Sequence, residues 1–168
     1  MKIILYMAIS VNGFIARDND STDWVAPTDW RELSSLVSKI GTVIMGKKTY
    51  EFSEDNFPYG DGLNIVMTHD KSLVSSSPKL IFTDQSPQEV IKLVQNLGCQ
   101  NLLIIGGGKI NSAFLKNNLI NEIYLSIHPL ILADGIKLFH DLKIEKKLKL
   151  LEVKQLPENL VQLHYSVI

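Results

Sequence analysis

Residues 101–111 read Asn-Leu-Leu-Ile-Ile-Gly-Gly-Gly-Lys-Ile-Asn and carry the strongest structural signal in this chain. The apolar run before the glycines predicts a buried strand, and residues 109–116 after them predict a short helix. Glycines at 106–108 would let the backbone approach an anion closely, and the start of the helix would offer unpaired N–H groups. The stretch therefore predicts either a turn that binds a pyrophosphate or a tight strand-to-helix turn without a ligand.

Two familiar classes of glycine-rich nucleotide loop match this stretch poorly. The Rossmann fingerprint G-x-G-x-x-G requires a third glycine where Asn111 stands, and it usually opens the fold. A Walker loop requires Ser or Thr after its lysine, whereas Ile110 follows Lys109. If the turn binds phosphate, it therefore belongs to neither class.

Predicted strands and helices alternate on both sides of the glycines. Apolar runs predict strands at residues 3–9, 14–16, 42–46, 63–67, 80–82, 101–105, 122–127, 146–154 and 160–167. Apolar residues at helical spacing predict helices at residues 29–40, 48–53, 87–97 and 109–116. This order predicts an α/β fold, a mixed sheet with helices on its faces, with residues 1–168 as a single domain.

Two of these elements can be predicted in detail. Ser86 followed three residues later by Glu89 is a capping box, and Pro87 stands at the first helical position, so a helix is predicted to begin here and to end at Gly98. Apolar and polar residues alternate through 161–167, which predicts a final strand with one face in water.

The composition excludes several classes of protein. With 17 basic and 18 acidic residues the net charge is −1, so the chain lacks the basic excess of a duplex-binding protein. The single cysteine, Cys99, excludes an internal disulfide and fits a reducing compartment. No apolar run reaches the ~18–20 residues of a membrane-spanning helix, and residues 3–9 fit a buried strand better than a signal-peptide core. We therefore expect a cytoplasmic protein with neither nucleic acid nor membrane as partner.

A second candidate anion site follows the predicted strand at 42–46. Residues 46–49, Gly-Lys-Lys-Thr, stand at its carboxyl end, where the ligands of open α/β sheets gather. Lysine supplies a point charge for phosphate and threonine a neutral donor, although a solvated helix start would look the same. Thr68 and His69 follow the next strand in the same manner.

Four segments spread over the chain resemble one family. They are residues 7–16 (MAISVNGFIA), 43–51 (VIMGKKTYE), 106–109 (GGGK) and 128–139 (HPLILADGIKLF). In this order and spacing they resemble the dihydrofolate reductase superfamily, and more closely the reductase domain of the bifunctional deaminase–reductase of riboflavin biosynthesis and its stand-alone relatives. The resemblance implies a three-layer fold with a mixed, mainly parallel sheet of about eight strands flanked by helices.

The resemblance also implies NADPH as the cofactor, bound across the carboxyl edge of the sheet. Backbone amides of the glycine turn, with Lys48 and Thr49, would hold the pyrophosphate. Lys47, with Thr68 or His69, would meet the 2′-phosphate of the adenosine. The residues implied in cofactor binding are Ala8, Ile15, Gly46, Lys47, Lys48, Thr49, Thr68, His69, Gly106, Gly107, Gly108, Lys109 and Ile110.

The same resemblance assigns the reacting end of the site. Main-chain groups of Ala8 and Ile15 would hold the nicotinamide carboxamide. Residues 24–30 resemble the stretch of dihydrofolate reductases that carries the carboxylate that binds the pterin ring. Asp29 is therefore the candidate catalytic and substrate-binding residue. An acid beside a hydride acceptor is useful if burial raises its pKa toward neutrality. The alternative is structural, because Asp29 and Glu32 also match a box-like helix cap.

The chain departs from the riboflavin pattern in several places. Relatives usually carry a carboxylate near the substrate where Asn12 stands, and Asn12 is therefore a candidate substrate-binding residue. Ala133 replaces a common glycine, and residues 1–168 include no zinc deaminase domain. The four histidines lack metal-ligand spacing, so no metal site is predicted; His128 lies nearest to a family segment.

We therefore expect an NADPH-dependent reductase that transfers a hydride to a small heterocyclic substrate. The favoured substrate is of the 5-amino-6-(5-phosphoribosylamino)uracil type of riboflavin biosynthesis, whose phosphate would require a basic residue such as Lys109 or Arg31. Two alternatives stay open, a dihydrofolate or pterin reductase and a non-catalytic NADPH-binding module. The resemblance also implies a homodimer.

Overall fold

The computed structural model describes residues 1–53, 57–75 and 77–168. The strands are β1 (Lys2–Ser10), β2 (Phe14–Ala16), β3 (Thr42–Gly46), β4 (Leu63–Met67), β5 (Leu80–Thr83), β6 (Asn101–Ile104), β7 (Glu122–His128), β8 (Ile136–Lys137), β9 (Leu148–Leu156) and β10 (Leu160–Val167). The helices are α1 (Pro27–Ile40), α2 (Lys47–Glu51), α3 (Pro87–Asn96) and α4 (Gly108–Lys116). In the part of the chain that the structure describes, no helix is long and apolar enough to cross a membrane.

Eight strands form one sheet in the order β5-β4-β3-β6-β1-β7-β10-β9, and β2 pairs with β8 in a separate ribbon. β1 runs parallel to β6 and β7, β3 runs parallel to β6 and β4, and β4 runs parallel to β5. β10 runs antiparallel to both β7 and β9. The predicted mixed, mainly parallel sheet is confirmed, and the carboxyl ends of β1, β3, β4 and β6 meet at one edge.

Helices cover both faces of this sheet. On one face, buried apolar side chains of α3 and α4 pack against the strands; the cluster includes Leu5, Ile44, Ile65, Val90, Val94, Ile104 and Phe114. On the other face, α1 contributes to a second buried cluster, which includes Ile4, Tyr6, Leu33, Val37, Val43, Met45 and Leu103. The two clusters produce the three layers that the family resemblance implies.

Two helix ends agree with the sequence. The Ser86 hydroxyl accepts the N–H of Glu89, and the Glu89 carboxylate accepts the N–H of Ser86 at 2.8 Å, which forms the predicted capping box. α1 ends at Gly41, whose φ of 74° is left-handed and whose N–H donates to the carbonyl of Val37. Glycine adopts this backbone conformation at little cost.

The start of α1 differs from the prediction. The helix begins at Pro27 rather than at Asp29, and Ala26 is its N-cap residue. Proline suits the first turn because the N–H that it lacks would have no intrahelical partner there. Asp29 is therefore the third helical residue, and the interpretation of Asp29 and Glu32 as a helix cap is wrong.

The closing strands also differ in detail. β9 begins two residues later than predicted, and β8 is too short for sequence periodicity to reveal. In β10, Gln162 is 7% exposed whereas Val161 is 36% exposed. The face of β10 that was expected to lie in water is therefore buried at Gln162. The reason is that the Gln162 amide donates to the hydroxyls of Tyr6 and Ser126 inside the protein.

The segment from Leu132 to Leu138, which includes β8, connects the loop after β1 to α4. Asn12 Nδ2 donates to the Leu132 carbonyl at 2.7 Å, and Asn12 Oδ1 accepts the Leu132 N–H at 3.2 Å. Farther along, the Leu138 N–H donates to the Gly13 carbonyl at 3.2 Å, while the Leu138 carbonyl accepts from Asn111 Nδ2 at 2.9 Å. Residues of this segment therefore bond both the turn after β1 and the first turns of α4.

Candidate active site

A cavity of about 500 Å³ opens at the carboxyl edge of the sheet. β1, β3 and β4 line the cavity with residues at or near their carboxyl ends. α1 lines it with side chains, and α2 and α4 line it with their first residues. Gly46 at the end of β3 donates its N–H to the Gly106 carbonyl at 2.9 Å, which joins the end of β3 to the turn after β6. We call its two parts the glycine side (Gly46, Lys47, Lys48, Thr49, Gly107, Gly108, Lys109 and Ile110) and the acid side (Tyr6, Val25, Asp29, Trp30, Leu33 and Tyr59).

The glycine turn presents backbone to the cavity. The Gly106–Gly107 peptide is cis, and Gly107 is the N-cap of α4, with no capping bond from a side chain. A Cβ on Gly108 would lie 2.4 Å from the carbonyl oxygen of Lys137, whereas a Cβ on Gly107 would point toward Thr49 Oγ1 at 3.7 Å. The turn is therefore packed at Gly108 and open at Gly107, beside the first N–H groups of α4 at the positive end of a helix dipole, and this combination suits an anion.

Two lysines of the glycine side, Lys47 and Lys48, are already paired with acids. Lys47 Nζ lies 2.6 Å from Asp70 Oδ2 and 3.3 Å from Glu51 Oε1, and Lys48 Nζ lies 2.7 Å from Asp20 Oδ2. The hydrogen bonds to Asp70 and Glu51 raise the pKa of Lys47, which stays protonated. The positive charge at this side is thus held in place, and it is partly neutralised.

The acid side contains one deeply buried carboxyl group. Asp29 is 3% exposed, and the Tyr6 hydroxyl donates to Asp29 Oδ1 at 2.5 Å. Burial raises the pKa of Asp29, while the hydrogen bond from the Tyr6 hydroxyl opposes the increase. A carboxyl group in such surroundings can hold a proton at a higher pH than a surface aspartate.

Three strands supply the hydroxyls and amide around that carboxyl group. Tyr6 of β1 lies 3.1 Å from Ser126 Oγ of β7, and Gln162 Nε2 of β10 lies 3.2 Å from the Tyr6 oxygen and 3.1 Å from Ser126 Oγ. All four side chains, Asp29 included, are buried. They form one continuous hydrogen-bonded group, which we call the Tyr6 network.

His128 fixes the chain that leads into α1. Its Nε2 accepts the Ala26 N–H at 3.1 Å, so the ring proton is on Nδ1, which donates to the Ser126 carbonyl at 3.1 Å. The Trp24 ring meets the His128 ring edge-on, with centroids 5.0 Å apart. Because both ring nitrogens are occupied, His128 is a neutral structural support for the helix start that carries Asp29.

Most of the residues that the sequence implicates meet at this cavity. The lining includes Ala8, Ile15, Asp29, Gly46, Lys47, Lys48, Thr49, Gly107, Gly108, Lys109 and Ile110. Gly106 lies outside the lining, and its carbonyl accepts the Gly46 N–H. Asn12, Thr68 and His69 lie outside that lining. Asn12 bonds the main chain of Leu132, Thr68 Oγ1 accepts the Asp70 N–H at 3.0 Å, and His69 is exposed. Their proposed roles in binding stay predictions.

Sequence reasoning missed the partners of these residues. Tyr6 is the one hydroxyl within the apolar run of residues 3–9, and that was a usable signal. Ser126 and Gln162 gave no comparable signal, because their proximity depends on the register of β7 with β10. Asp20 and Asp70, the partners of the two lysines, gave no signal because each stands in a polar loop.

A model of the RibD C-terminal domain family matches residues 1–162 of the chain. The chain belongs to this family. Two Bacillus subtilis (strain 168) proteins are similar to this RibD C-terminal domain along nearly its full length. The uncharacterized protein YwjB is 32% identical, and the match covers 98% of this chain and 97% of YwjB. The uncharacterized protein YyaP is 28% identical, and the match covers 98% of this chain and 94% of YyaP.

Solved structures share the fold of this RibD C-terminal domain. A protein of Shewanella sp. PV-4 matches with a TM-score of 0.85 and 23% identity, over 100% of this chain and 99% of that one. RibD of Acinetobacter baumannii matches with a TM-score of 0.83 and 17% identity, over 99% of this chain and 58% of RibD. The diaminohydroxyphosphoribosylaminopyrimidine deaminase/5-amino-6-(5-phosphoribosylamino)uracil reductase of Thermotoga maritima matches with a TM-score of 0.79 and 14% identity, over 99% of this chain and 56% of that one. The resemblance expected from the four segments is confirmed for family and fold.

Proposed function

We propose that this protein is an NADPH-dependent reductase that transfers a hydride to a small heterocyclic substrate, of the 5-amino-6-(5-phosphoribosylamino)uracil type. One observation carries the proposal: a single cavity joins an open glycine turn and three lysines to one buried carboxyl group. Membership of the RibD C-terminal domain family supports the reductase class.

The residues present fit a nicotinamide dinucleotide. The open position at Gly107, the N–H groups that begin α4 and the Thr49 hydroxyl suit a pyrophosphate. Ala8 and Ile15 suit the nicotinamide because they line the same cavity at β1 and β2. With the pyrophosphate at the ends of β6 and β3, the adenosine would continue toward β4, the next strand of the sheet. Lys47 lies on that path and would meet the 2′-phosphate of NADPH.

The chain itself would orient the reactants, exclude water and hold a proton. A bound dihydronicotinamide supplies the hydride. Apolar and aromatic walls, with Trp30 and Leu33 of α1 among them, keep bulk water from the reacting end of the cavity. Asp29 lies among these walls, and its raised pKa lets it keep a proton for the substrate atom that needs one.

The structure bears on which side chain would meet a substrate phosphate. Lys109 lines the cavity, whereas Arg31 lies outside the lining and donates to Thr28 Oγ1 at 2.6 Å. We therefore assign the phosphate of a phosphoribosylamino-pyrimidine to Lys109.

A pterin is the second candidate substrate. The lining residues of the acid side are Tyr6, Val25, Asp29, Trp30, Leu33 and Tyr59, a set with one carboxyl group and no basic side chain. A carboxylate among apolar and aromatic walls suits a flat ring with adjacent N–H donors.

The first test is binding of NADPH and of NADH, each followed by fluorescence titration, to the wild-type protein and to Lys47→Ala. We expect a preference for NADPH that the substitution removes. Oxidation of NADPH is then followed with 5-amino-6-(5-phosphoribosylamino)uracil and, separately, with dihydrofolate. Reduction of one but not the other identifies the substrate class, and no binding of either nucleotide contradicts the proposal. Tight NADPH binding without oxidation by either compound would favour the non-catalytic module.

We also propose a homodimer formed through the outer strands. Leu148, Leu150 and Val153 of β9 pair with Val167, Tyr165 and Leu163 of β10, so these apolar residues share one face. Leu150 is 50% exposed and Val153 is 58% exposed. A contiguous apolar face of this kind is typical of a surface that another copy covers.

A further inference from the structure

The protons of the Tyr6 network can be assigned by counting donors and acceptors. Gln162 Nε2 carries two protons and lies within hydrogen-bond distance of the Tyr6 oxygen and of Ser126 Oγ. The Tyr6 hydroxyl donates to Asp29 Oδ1, so in its contact with Ser126 it must accept. The Ser126 hydroxyl therefore donates to Tyr6, and every proton of the network has an acceptor.

The reverse arrangement leaves a proton unplaced. If Asp29 donated to Tyr6, the Tyr6 proton could turn to the Asp29 carbonyl oxygen at 3.4 Å, but the Tyr6 oxygen would then have to accept from Asp29, Gln162 and Ser126 with two lone pairs. The other acceptor is Ser126 Oγ, which already accepts from Gln162. Among the described residues, the hydrogen-bond partners of Ser126 Oγ are Tyr6 and Gln162, so the Ser126 proton would then have no acceptor. An unsatisfied buried hydroxyl is costly, and the network therefore favours Tyr6 as the donor to Asp29.

We propose that Tyr6, held by Ser126 and Gln162, is a positioning residue that reserves Asp29 Oδ1 as an acceptor and leaves Oδ2 to carry the proton that faces the substrate. The inference deepens the proposed reductase function and rests on it, because the side of the carboxyl group matters when a substrate must be protonated. Oδ1 is occupied by the Tyr6 hydroxyl whether or not Asp29 is protonated. A carboxylic proton is therefore confined to the second oxygen of a side chain that lines the cavity.

Other ionisable groups near Asp29 do not replace Tyr6 in this role. His128 of β7 is bonded at both ring nitrogens, to the Ala26 N–H and to the Ser126 carbonyl. Glu32 of α1 pairs with Lys154 Nζ at 2.8 Å. Tyr6 of β1 is thus the ionisable group that contacts the carboxyl group of Asp29 directly.

The experiment is a pH titration of the aspartate carboxyl carbons by ¹³C NMR on the full chain, with Asp29→Asn used to assign the Asp29 signal. Tyr6→Phe removes a donor that stabilises the carboxylate, so the Asp29 midpoint should rise by about one to two pH units. Ser126→Ala should shift it in the same direction by less. Tyr59→Phe is the matched control, because Tyr59 is a buried hydroxyl of the same cavity that bonds Ser53 Oγ at 2.8 Å; it should leave the midpoint unchanged.

A kinetic measurement distinguishes this inference from the function on which it rests. With whichever of the two compounds the wild-type protein reduces, Tyr6→Phe should move the alkaline limb of the pH–rate profile upward and lower its plateau several-fold, with the dissociation constant of NADPH unchanged. If neither compound is reduced, the proposed function fails, and the NMR titration still tests the role of Tyr6. An Asp29 midpoint that stays in place in both Tyr6→Phe and Ser126→Ala overturns the inference. If Tyr6→Phe does not fold, Ser126→Ala decides it.

Discussion

Lys47 and Asp70 form a 2.6 Å ion pair across the ends of β3 and β4, where the adenosine 2′-phosphate of NADPH would lie. Asp70 is itself held by the N–H and hydroxyl of Ser72, and the bond to Lys47 holds the pKa of Asp70 far below its usual range. A permanent negative charge therefore stands beside the proposed phosphate position.

Replacing that charge should improve NADPH binding. In Asp70→Asn we expect NADPH to bind roughly fivefold more tightly, since a like charge removed at a few ångströms near the surface is worth about 1 kcal/mol. NADH, which lacks the 2′-phosphate, should bind as before. Fluorescence titration measures both. Asp84→Asn is the control, because it breaks the exposed pair with Lys71. Weaker NADPH binding in Asp70→Asn would mean that Asp70 serves to orient Lys47.

Asp29→Asn should slow hydride transfer. A positioned general acid typically contributes about 10²–10⁴-fold, so a loss in that range is expected in the rate of NADPH oxidation at saturating substrate. The alkaline limb of the pH–rate profile should disappear with it. Stopped-flow absorbance measures the rate, and an unchanged dissociation constant for NADPH serves as the control. A profile that keeps its shape in the variant removes Asp29 from the chemistry.

The same residue should make stability depend on pH. Burial raises the pKa of Asp29 above that of the unfolded chain, so between the two values the native state holds a proton that the unfolded state has released. The free energy of unfolding should therefore fall as the pH rises through this window, from about pH 4 upward. Urea unfolding at several pH values measures it. The fall should be smaller in Asp29→Asn and unchanged in Asp61→Asn, whose side chain is exposed.

Alanine substitutions at the adjacent residues Gly107 and Gly108 should affect different properties, nucleotide binding at Gly107 and stability at Gly108. Gly108→Ala places a Cβ 2.4 Å from the Lys137 carbonyl oxygen and should destabilise the fold by about 1–3 kcal/mol. In Gly107→Ala the new Cβ lies 3.7 Å from Thr49 Oγ1, so the melting temperature should hardly change. It would, however, occupy the open side of the turn and weaken NADPH binding. Thermal melting and nucleotide titration on both variants test the pair, and normal NADPH affinity in Gly107→Ala would exclude the turn as a pyrophosphate site.

A charge on the outer apolar face should dissociate the proposed dimer. Val153→Lys places an ammonium at the most exposed point of that face, whereas Glu152→Lys places the same charge at the next position, on the opposite face of β9. Size-exclusion chromatography with light scattering should report a monomer for the first variant and a dimer for the second. A monomeric wild-type protein contradicts the proposal outright.

The fold was largely accessible from the sequence because its signals are local. The glycines after β6, the apolar runs and the capping box at Ser86 each depend on neighbouring residues. The start of α1 was missed because Asp29 followed by Glu32 imitates a cap, while the true first turn begins at a proline. The burial of Gln162 was missed for a different reason, since it depends on Tyr6 and Ser126, which are distant in the chain.

The residues of the candidate site also fall into two groups, those with a signal in the neighbouring sequence and those that depend on distant parts of the chain. Lys47, Thr49 and Gly107 stand in segments whose order along the chain already indicated the family, and Asp29 stands in the separate stretch 24–30 that resembles dihydrofolate reductases. The Tyr6 network requires the register of three strands and could not be read from any one of them.

The segment from Leu132 to Leu138 gives the cavity a fixed length. It is bonded at one end to Asn12, in the turn after the strand that carries Tyr6, and at the other to Asn111, in the helix that begins at the glycine turn. The fold therefore sets the spacing between the two sides of the cavity. A ligand that spans the glycine side and the acid side gains from contacts whose spacing is set in advance, whereas a mononucleotide that reaches one side gains nothing from the other.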